Sequence, residues 1–331
     1  MPESRATGRV VVVGSYVQDH AWFCDTFPQR GETRIAAGFN TGPGGKGFNQ
    51  AVACHRQRID TTFIGAIGND MLGGCARQFA QDENLDAHWQ IVRDVPTAAS
   101  SIVVDARGEN RIVVSLGANE RLDPLFVRRQ CESVRSMRIV LCQLENSLDT
   151  VTAAFDVADA CGALRMLNPA PMHPAFDAAI LDRINIVTPN ETEFALLLRH
   201  CEHADVDADE LASLDDATLH ALVCRLPLRT TVITLGSHGC FVSHAQDRRG
   251  DAQAYYRIAP EKVRAIDSTG AGDAFSGALA AALLQFDGEP FANAVRHANR
   301  AAALSTEAIG TAPAMPTFAQ VATRFGEGQK A

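Results

Sequence analysis

No pair of cysteines in this chain has the C-x-x-C spacing, although nine cysteines are scattered along its 331 residues. That excludes the usual zinc-ligand pattern, and an odd count speaks against a disulfide-stapled fold. The start, MPESRATGRVVVVG, lacks a basic segment leading into an apolar one, so no export signal is expected. No apolar run approaches the ~20 residues of a membrane span, and ALAAALLQF stops at Asp287. Surplus positive charge is missing too. The formal net charge is −9, which disfavours a surface for non-specific nucleic-acid binding. Repeats and low-complexity tracts are also lacking. These absences leave a cytoplasmic protein that handles small molecules, with neither membrane nor nucleic acid as a partner. An anionic ligand would have to be held locally, by backbone dipoles and a divalent cation.

What is present is an alternation of short β-branched runs with longer apolar-periodic stretches, the pattern of βα units on a parallel sheet. Central strands are expected at 9–14, 62–67, 139–143, 164–168, 184–189 and 231–235. Helices are expected at 49–58, 73–83, 148–161, 191–200 and 274–284. Two stretches, 20–40 and 97–117, break the alternation and read as antiparallel strands. The second forms a hairpin through Asp105-Ala106-Arg107-Gly108-Glu109. Such strands fit poorly into a parallel sheet, so a small separate layer over one end of it is expected. The acidic stretch 202–216 contains DVDADE, but the glycine a calcium loop needs is Glu210, which leaves a solvated loop. Residues 326–331 read as a frayed tail.

Chemistry concentrates in four segments. In Asp267-Ser-Thr-Gly-Ala-Gly-Asp273, small residues run directly into the apolar stretch AFSGALAAALL. The unpaired N–H groups of a helix start would face outward there, an anion site reinforced by the dipole. A carboxylate at Asp273 beside bound phosphates is either a proton acceptor for an attacking hydroxyl or a residue that caps the helix. The cluster Thr41-Gly-Pro-Gly-Gly-Lys-Gly47 precedes a helix carrying Asn49. It is neither a dinucleotide loop, since no strand feeds it directly, nor a Walker A loop, since Asn40 and Gly47 stand at the wrong places. What remains is a loop able to approach a ligand closely, with Lys46 and Asn49 as donors. The run Asn190-Glu-Thr-Glu193 is a capping-box sequence, yet it also sits at the carboxyl end of an expected parallel strand, where α/β ligand sites form. Thr234-Leu-Gly-Ser-His-Gly239 is either a tight hairpin or a nucleotide-lining loop.

With these residues in this order, the chain resembles the ribokinase family of carbohydrate kinases, also called the PfkB family, over nearly its whole length. GGKGFNQA and DSTGAGDAFSGA are similar to that family's two signatures, and VVVGSYVQDH, CQLENSLDTV, NPAP, VTPNETE and VITLGS follow in the family's order. The resemblance implies a three-layer, doubly wound, mostly parallel α/β domain spanning 1–331. A small β-sheet lid, inserted at about 16–40 and 97–118, would serve for homodimerisation. It implies Asp273 as catalytic base and Gly270, Ala271 and Gly272 as the anion hole. Asp19, Gly45, Lys46, Asn49 and Glu145, with Asp273, would hold the sugar. Asn190, Thr234, Gly236, Gly239, Gly272 and Asn299 would hold ATP. Glu193 would act on Mg²⁺ indirectly, and Asp267, Thr269, Ser305, Ala308 and Gly310 would form a site for K⁺. The reaction implied is γ-phosphate transfer from ATP to D-ribose, giving ribose 5-phosphate.

Two positions depart from the family pattern. Val17 stands where a sugar-contacting Asn is implied, and a hydroxyl left without that partner loses ~1–3 kcal/mol. Ala314 replaces a Ser in the cation segment. Alternatives are therefore the same chemistry on a nucleoside, another pentose or a sugar acid. A non-catalytic sensor of sugar or nucleotide is a further alternative, against which the joint presence of Asp273, Asn190 and Glu193 argues.

Overall fold

Four consecutive valines place the first strand, β1 (Arg9–Val13), at the centre of the molecule. With period-two alternation, Val10 and Val12 enter one apolar core while Val11 and Val13 enter another, so the strand is covered on both faces. The computed structural model describes residues 8–172 and 176–326; of the expected tail only Gly326 falls within them. Among the described residues the chain continues through β2 (Val17–Phe23), β3 (Gly38–Gly44), α1 (Lys46–Arg56), β4 (Asp60–Gly68), α2 (Met71–Asp82) and β5 (Asp86–Val92). Next come β6 (Ala99–Val104), β7 (Asn110–Ser115), α3 (Pro124–Ser133), β8 (Met137–Cys142), α4 (Leu148–Ala160), β9 (Leu164–Leu167) and β10 (Ile186–Val187). The last part holds α5 (Glu191–Glu202), α6 (Asp216–Val223), β11 (Thr230–Thr234), β12 (Cys240–His244), β13 (Tyr255–Ile258), α7 (Ala271–Gln285), α8 (Phe291–Ser305) and α9 (Phe318–Phe325).

Nine strands form one sheet in the order β13-β12-β11-β10-β9-β8-β1-β4-β5, parallel from β5 to β11 and antiparallel beyond. Helices α1, α7 and α8 cover one face through Phe48, Phe275 and Val295. Helices α3 to α6 cover the other through Val127, Phe155, Phe194 and Leu219. The result is a three-layer, doubly wound α/β architecture. Every expected central strand forms. The one expected at 184–189 shrinks to Ile186–Val187; Asn185 and Thr188 still donate to Arg165 and Leu167 of β9, and Pro189 beyond them offers no donor.

The remaining four strands form the separate sheet, in the order β3-β2-β6-β7. Pairing within each expected stretch is antiparallel, β2 with β3 and β6 with β7, but the two halves are joined by a parallel pair, β2 with β6. The glycine cluster read as a loop in fact begins as strand: Gly42, Pro43 and Gly44 pair with Asp19, Gln18 and Val17. The acidic stretch 208–213 is a short 3₁₀ turn, largely exposed except for Leu211.

Because the body strands are parallel, their carboxyl ends lie together. Ser15 follows β1, Glu145 follows β8, Asn168 follows β9, Asn190 follows β10, and Thr234 ends β11. That edge is where ligands bind in open α/β sheets.

Candidate active site

Two helices meet over this edge. The small-residue face of α7 packs on α1 so closely that a side chain at Gly277 would collide with the Ala53 side chain, 2.7 Å from its Cβ. This approach carries the first turn of α7 onto the first turn of α1. Asp273, only 6% exposed, thereby receives two amide donors: Asn49 Nδ2 at 2.9 Å on Oδ2 and Gln50 Nε2 at 2.9 Å on Oδ1. Both donors are neutral amides, so neither can give the carboxylate a proton. The other end of Asn49, Oδ1, is buried with no hydrogen-bond partner, an acceptor left open beside the carboxylate.

The expected anion hole starts α7. Gly270 is its N-cap residue, and the Ala271 N–H turns back to Ser268 O at 3.2 Å. Gly272 and Asp273 follow in the first turn, whose N–H groups have no intrahelical acceptor. The loop before α1 comes equally close to β2. Gly45 holds φ at +90°, and a Cβ there would sit 2.7 Å from the Val17 nitrogen, so only glycine fits the turn.

Glu145 accepts from Lys46 N at 3.0 Å and, through a short bond, from the Ser15 hydroxyl. Burial pushes its carboxyl above the usual range. Burial likewise raises Asp19, although the Ser100 hydroxyl at 2.6 Å and the Thr311 hydroxyl at 3.2 Å hold its two oxygens. Glu193 is also raised by burial. For Lys46 burial pulls downward, but Asp273, Glu145 and Glu193 outweigh it and hold the ammonium above its ordinary value. Five ionisable groups from five segments thus share one field.

Around this centre the expected residues fall into three groups. Asn190 forms a complete capping box with Glu193, accepting from its backbone N–H at 2.8 Å while Glu193 accepts from the Asn190 N–H at 2.9 Å. A bridge joins Asn190 to Thr234. Gly236 and Gly239 turn the chain from β11 into β12, Gly239 lies against the segment Ile258–Pro260, and Asn299 donates to Ala259 O at 3.0 Å. The third group centres on Asp267, which accepts from the N–H groups of Thr269 at 2.9 Å and Gly310 at 3.0 Å. Ser305 and Ala308 lie on the turn leading to Gly310, joined by an N–H to carbonyl bond of 3.3 Å. A cavity of about 460 Å³ separates this turn from the four-stranded sheet, with Asp19, Ala21, Phe23, Ile102, Asp267 and Thr311 among its walls.

Sequence reasoning missed Ser15, Gln50, Ser100, Asn168 and Thr311. Gln50 had a signal, a second consecutive amide directly ahead of the apolar run Ala51–Cys54. Ser100 and Thr311 had none, since only the parallel pairing of β2 with β6 and the return of the chain after α8 bring them to Asp19. Val17 is 3% exposed and shares a face of β2 with Asp19. Gln18 points the other way, and its amide is engaged by the Tyr16 hydroxyl at 2.5 Å and by Thr41 at 3.0 Å, so it cannot substitute for a polar group at 17.

Comparison with known proteins gives a coherent result. The model of the pfkB family of carbohydrate kinases matches residues 7–318. A ribokinase from Haemophilus influenzae is 35% identical over 309 residues, covering 93% of this chain and 95% of that one. A ribokinase structure from Giardia lamblia superposes with a TM-score of 0.84 at 28% identity, covering 97% and 99% of the two chains. The Arabidopsis thaliana ribokinase complexed with ribose and ATP reaches 0.79 at 25% identity, covering 96% and 98%.

Proposed function

The chain belongs to the pfkB family of carbohydrate kinases, and from that premise we propose that it transfers the γ-phosphate of ATP to the primary hydroxyl of D-ribose, giving ribose 5-phosphate. The observation that carries the reading is Asp273, a buried carboxylate held by two amides at the start of a helix whose N–H groups favour phosphate. In this reading Asp273 takes the proton of the attacking hydroxyl. Gly270, Ala271 and Gly272 stabilise charge on the transferred group, and Lys46 is one of the residues that hold the sugar. Asp19, Gly45, Asn49 and Glu145 hold the sugar hydroxyls. Asn190, Thr234, Gly236, Gly239 and Asn299 line the nucleotide.

The donor chemistry fits two cations. No cluster of three metal-ligating side chains occurs among the described residues, as suits Mg²⁺ held mainly by phosphate oxygens. Both Glu193 oxygens already accept hydrogen bonds from Asn190, so Glu193 would reach that ion through water. The set at Asp267, Thr269, Ser305, Ala308 and Gly310 offers a carboxylate and backbone oxygens, hard donors for K⁺. A cation there would neutralise Asp267 and stiffen the turn next to the anion hole. We place the enzyme in the cytoplasm, as one domain whose four-stranded sheet acts as a lid. The same sheet would form a homodimer, since Ile112, Val113 and Val114 of its edge strand are exposed. No helix of the described residues is long and apolar enough to cross a membrane.

A second reading, another acceptor such as a deoxy sugar or a nucleoside, is favoured by Val17 alone. ADP release measured across a panel of sugars and nucleosides separates the two. Ribose is expected to be the best acceptor, with Val17→Asn lowering its KM by about threefold to tenfold by restoring a polar partner. A deoxy sugar or nucleoside that outperforms ribose, with Val17→Asn damaging every activity, would overturn the ribose assignment and leave the kinase.

A further inference from the structure

Asp273 is held by a second amide that belongs to no expected group. Gln50 is fully buried, and both its N–H groups and its carbonyl oxygen are engaged. Its Nε2 donates to Asp273 Oδ1 at 2.9 Å and to Asn168 Oδ1 at 3.0 Å, and its Oε1 accepts from Gln143 Nε2 at 2.6 Å. The polarity of this chain is fixed at its far end. Asn168 Nδ2 donates to the backbone carbonyl of Thr188 at 2.8 Å, which turns Asn168 Oδ1 toward Gln50. Gln50 must therefore present its NH₂ group to Asn168, and the remaining hydrogen of that group can only point at Asp273.

We propose that Gln50 is a positioning residue for the base, tying the plane of the Asp273 carboxylate to the carboxyl ends of β9 and β10. The inference rests on the reading of Asp273 as the base. Asn49 alone would leave the carboxylate free to swing about a single hydrogen bond. With both oxygens held, the carboxylate keeps one plane next to Asn49, whose open Oδ1 marks where an attacking hydroxyl would lie. The relay is anchored to backbone and buried on both sides, so its orientation survives the entry and departure of substrate. The ionisable groups that share the field of Asp273 are Asp19 on β2, Lys46 on α1, Glu145 after β8 and Glu193 on α5. None of them bonds to Gln50 directly, and Glu193 is linked to it through Asn168, which both residues touch.

Gln50→Met keeps the volume and removes the donor, and Gln50→Glu keeps the shape and adds a charge. In Gln50→Met, kcat is expected to fall about 10- to 100-fold with both KM values within about threefold of the parent, because a hydrogen bond to a charged group is lost where only the base feels it. The acid limb of the kcat/KM profile should move up by about one pH unit, and further in Gln50→Glu. The ionisation of ATP is common to all three proteins, so the difference isolates the enzyme. If the Met variant does not fold, the Glu variant's acid limb decides. An unshifted limb with kcat within twofold of the parent, in either variant, would overturn the proposal. Asp273→Asn run alongside separates the two failures: an inactive Asn variant beside a normal Met variant removes only Gln50's role, whereas an active Asn variant removes the base itself.

Discussion

Two buried polar networks lie at opposite ends of the same strands, and they are built on different principles. At the amino end of β11, His244 sits between Thr230 at 3.1 Å and Asp251 at 3.0 Å, with the Tyr256 hydroxyl also donating to Asp251. The second oxygen of Asp251 accepts the Ala292 N–H at 2.9 Å and so caps the start of α8. Every side-chain polar atom of this group has a partner, and burial keeps His244 toward its neutral form. At the carboxyl end, the network around Asp273 leaves Asn49 Oδ1 and Gln143 Oε1 without partners and gathers Asp19, Glu145 and Glu193, each raised by burial. A satisfied network fixes the fold, and an unsatisfied one is held ready for a ligand that will complete it. On the function proposed above, the open acceptors at the carboxyl end are the ones a ligand would complete.

The largest effect that would sharpen this contrast is at Asp273. Asp273→Asn should lower kcat by about 10²- to 10⁴-fold, the range for removal of a general base, with nucleotide affinity nearly unchanged. Steady-state kinetics together with ATP titration by calorimetry reads both quantities.

Glu145→Gln tests the same contrast through opposite signs. Sugar KM should rise about 10- to 100-fold, the equivalent of one hydrogen bond to a charged group. Stability should move the other way. Burial raises the folded-state pKa of Glu145, so the stability linked to its protonation is full below the unfolded value and is lost as pH rises through the folded one. The Gln variant should therefore melt above the parent at pH 8, with the gap closing toward about pH 4, near the ordinary Glu value. Calorimetric melts at the two pH values check this, and a variant less stable at pH 8 would break the comparison.

The smallest kinetic effect belongs to the other end. Asp251→Asn should cost about 1–3 kcal/mol of stability by disturbing a satisfied network, and should leave kcat/KM within about twofold. Urea melts and the standard assay are sufficient. A large kinetic loss there would mean that the two networks are not independent.

The body of the fold was legible because its strands are apolar on both faces and its helices carry caps, as at Ser147 before α4 and Asn190 before α5. The parallel pairing of β2 with β6 was not, since it joins segments about 80 residues apart and leaves no local periodicity. The site was legible wherever glycines and carboxylates stand in runs, as at 41–47 and 267–273. It was illegible at Gln50, Ser100 and Thr311, ordinary polar residues that acquire meaning only from what the tertiary fold sets beside them. The Asn190–Glu193 pair shows the limit from the other side. Its capping box is real, and Glu193 nevertheless contributes to the field on Lys46.

The most direct test is ³¹P NMR of the enzyme with ATP, Mg²⁺ and D-ribose, followed to completion. Equal growth of ADP and a sugar monophosphate resonance, coupled to the C5 protons and lacking with Asp273→Asn, is the result expected here. ATP that stays intact, or ATP consumed with inorganic phosphate as the only new phosphorus besides ADP, would contradict it.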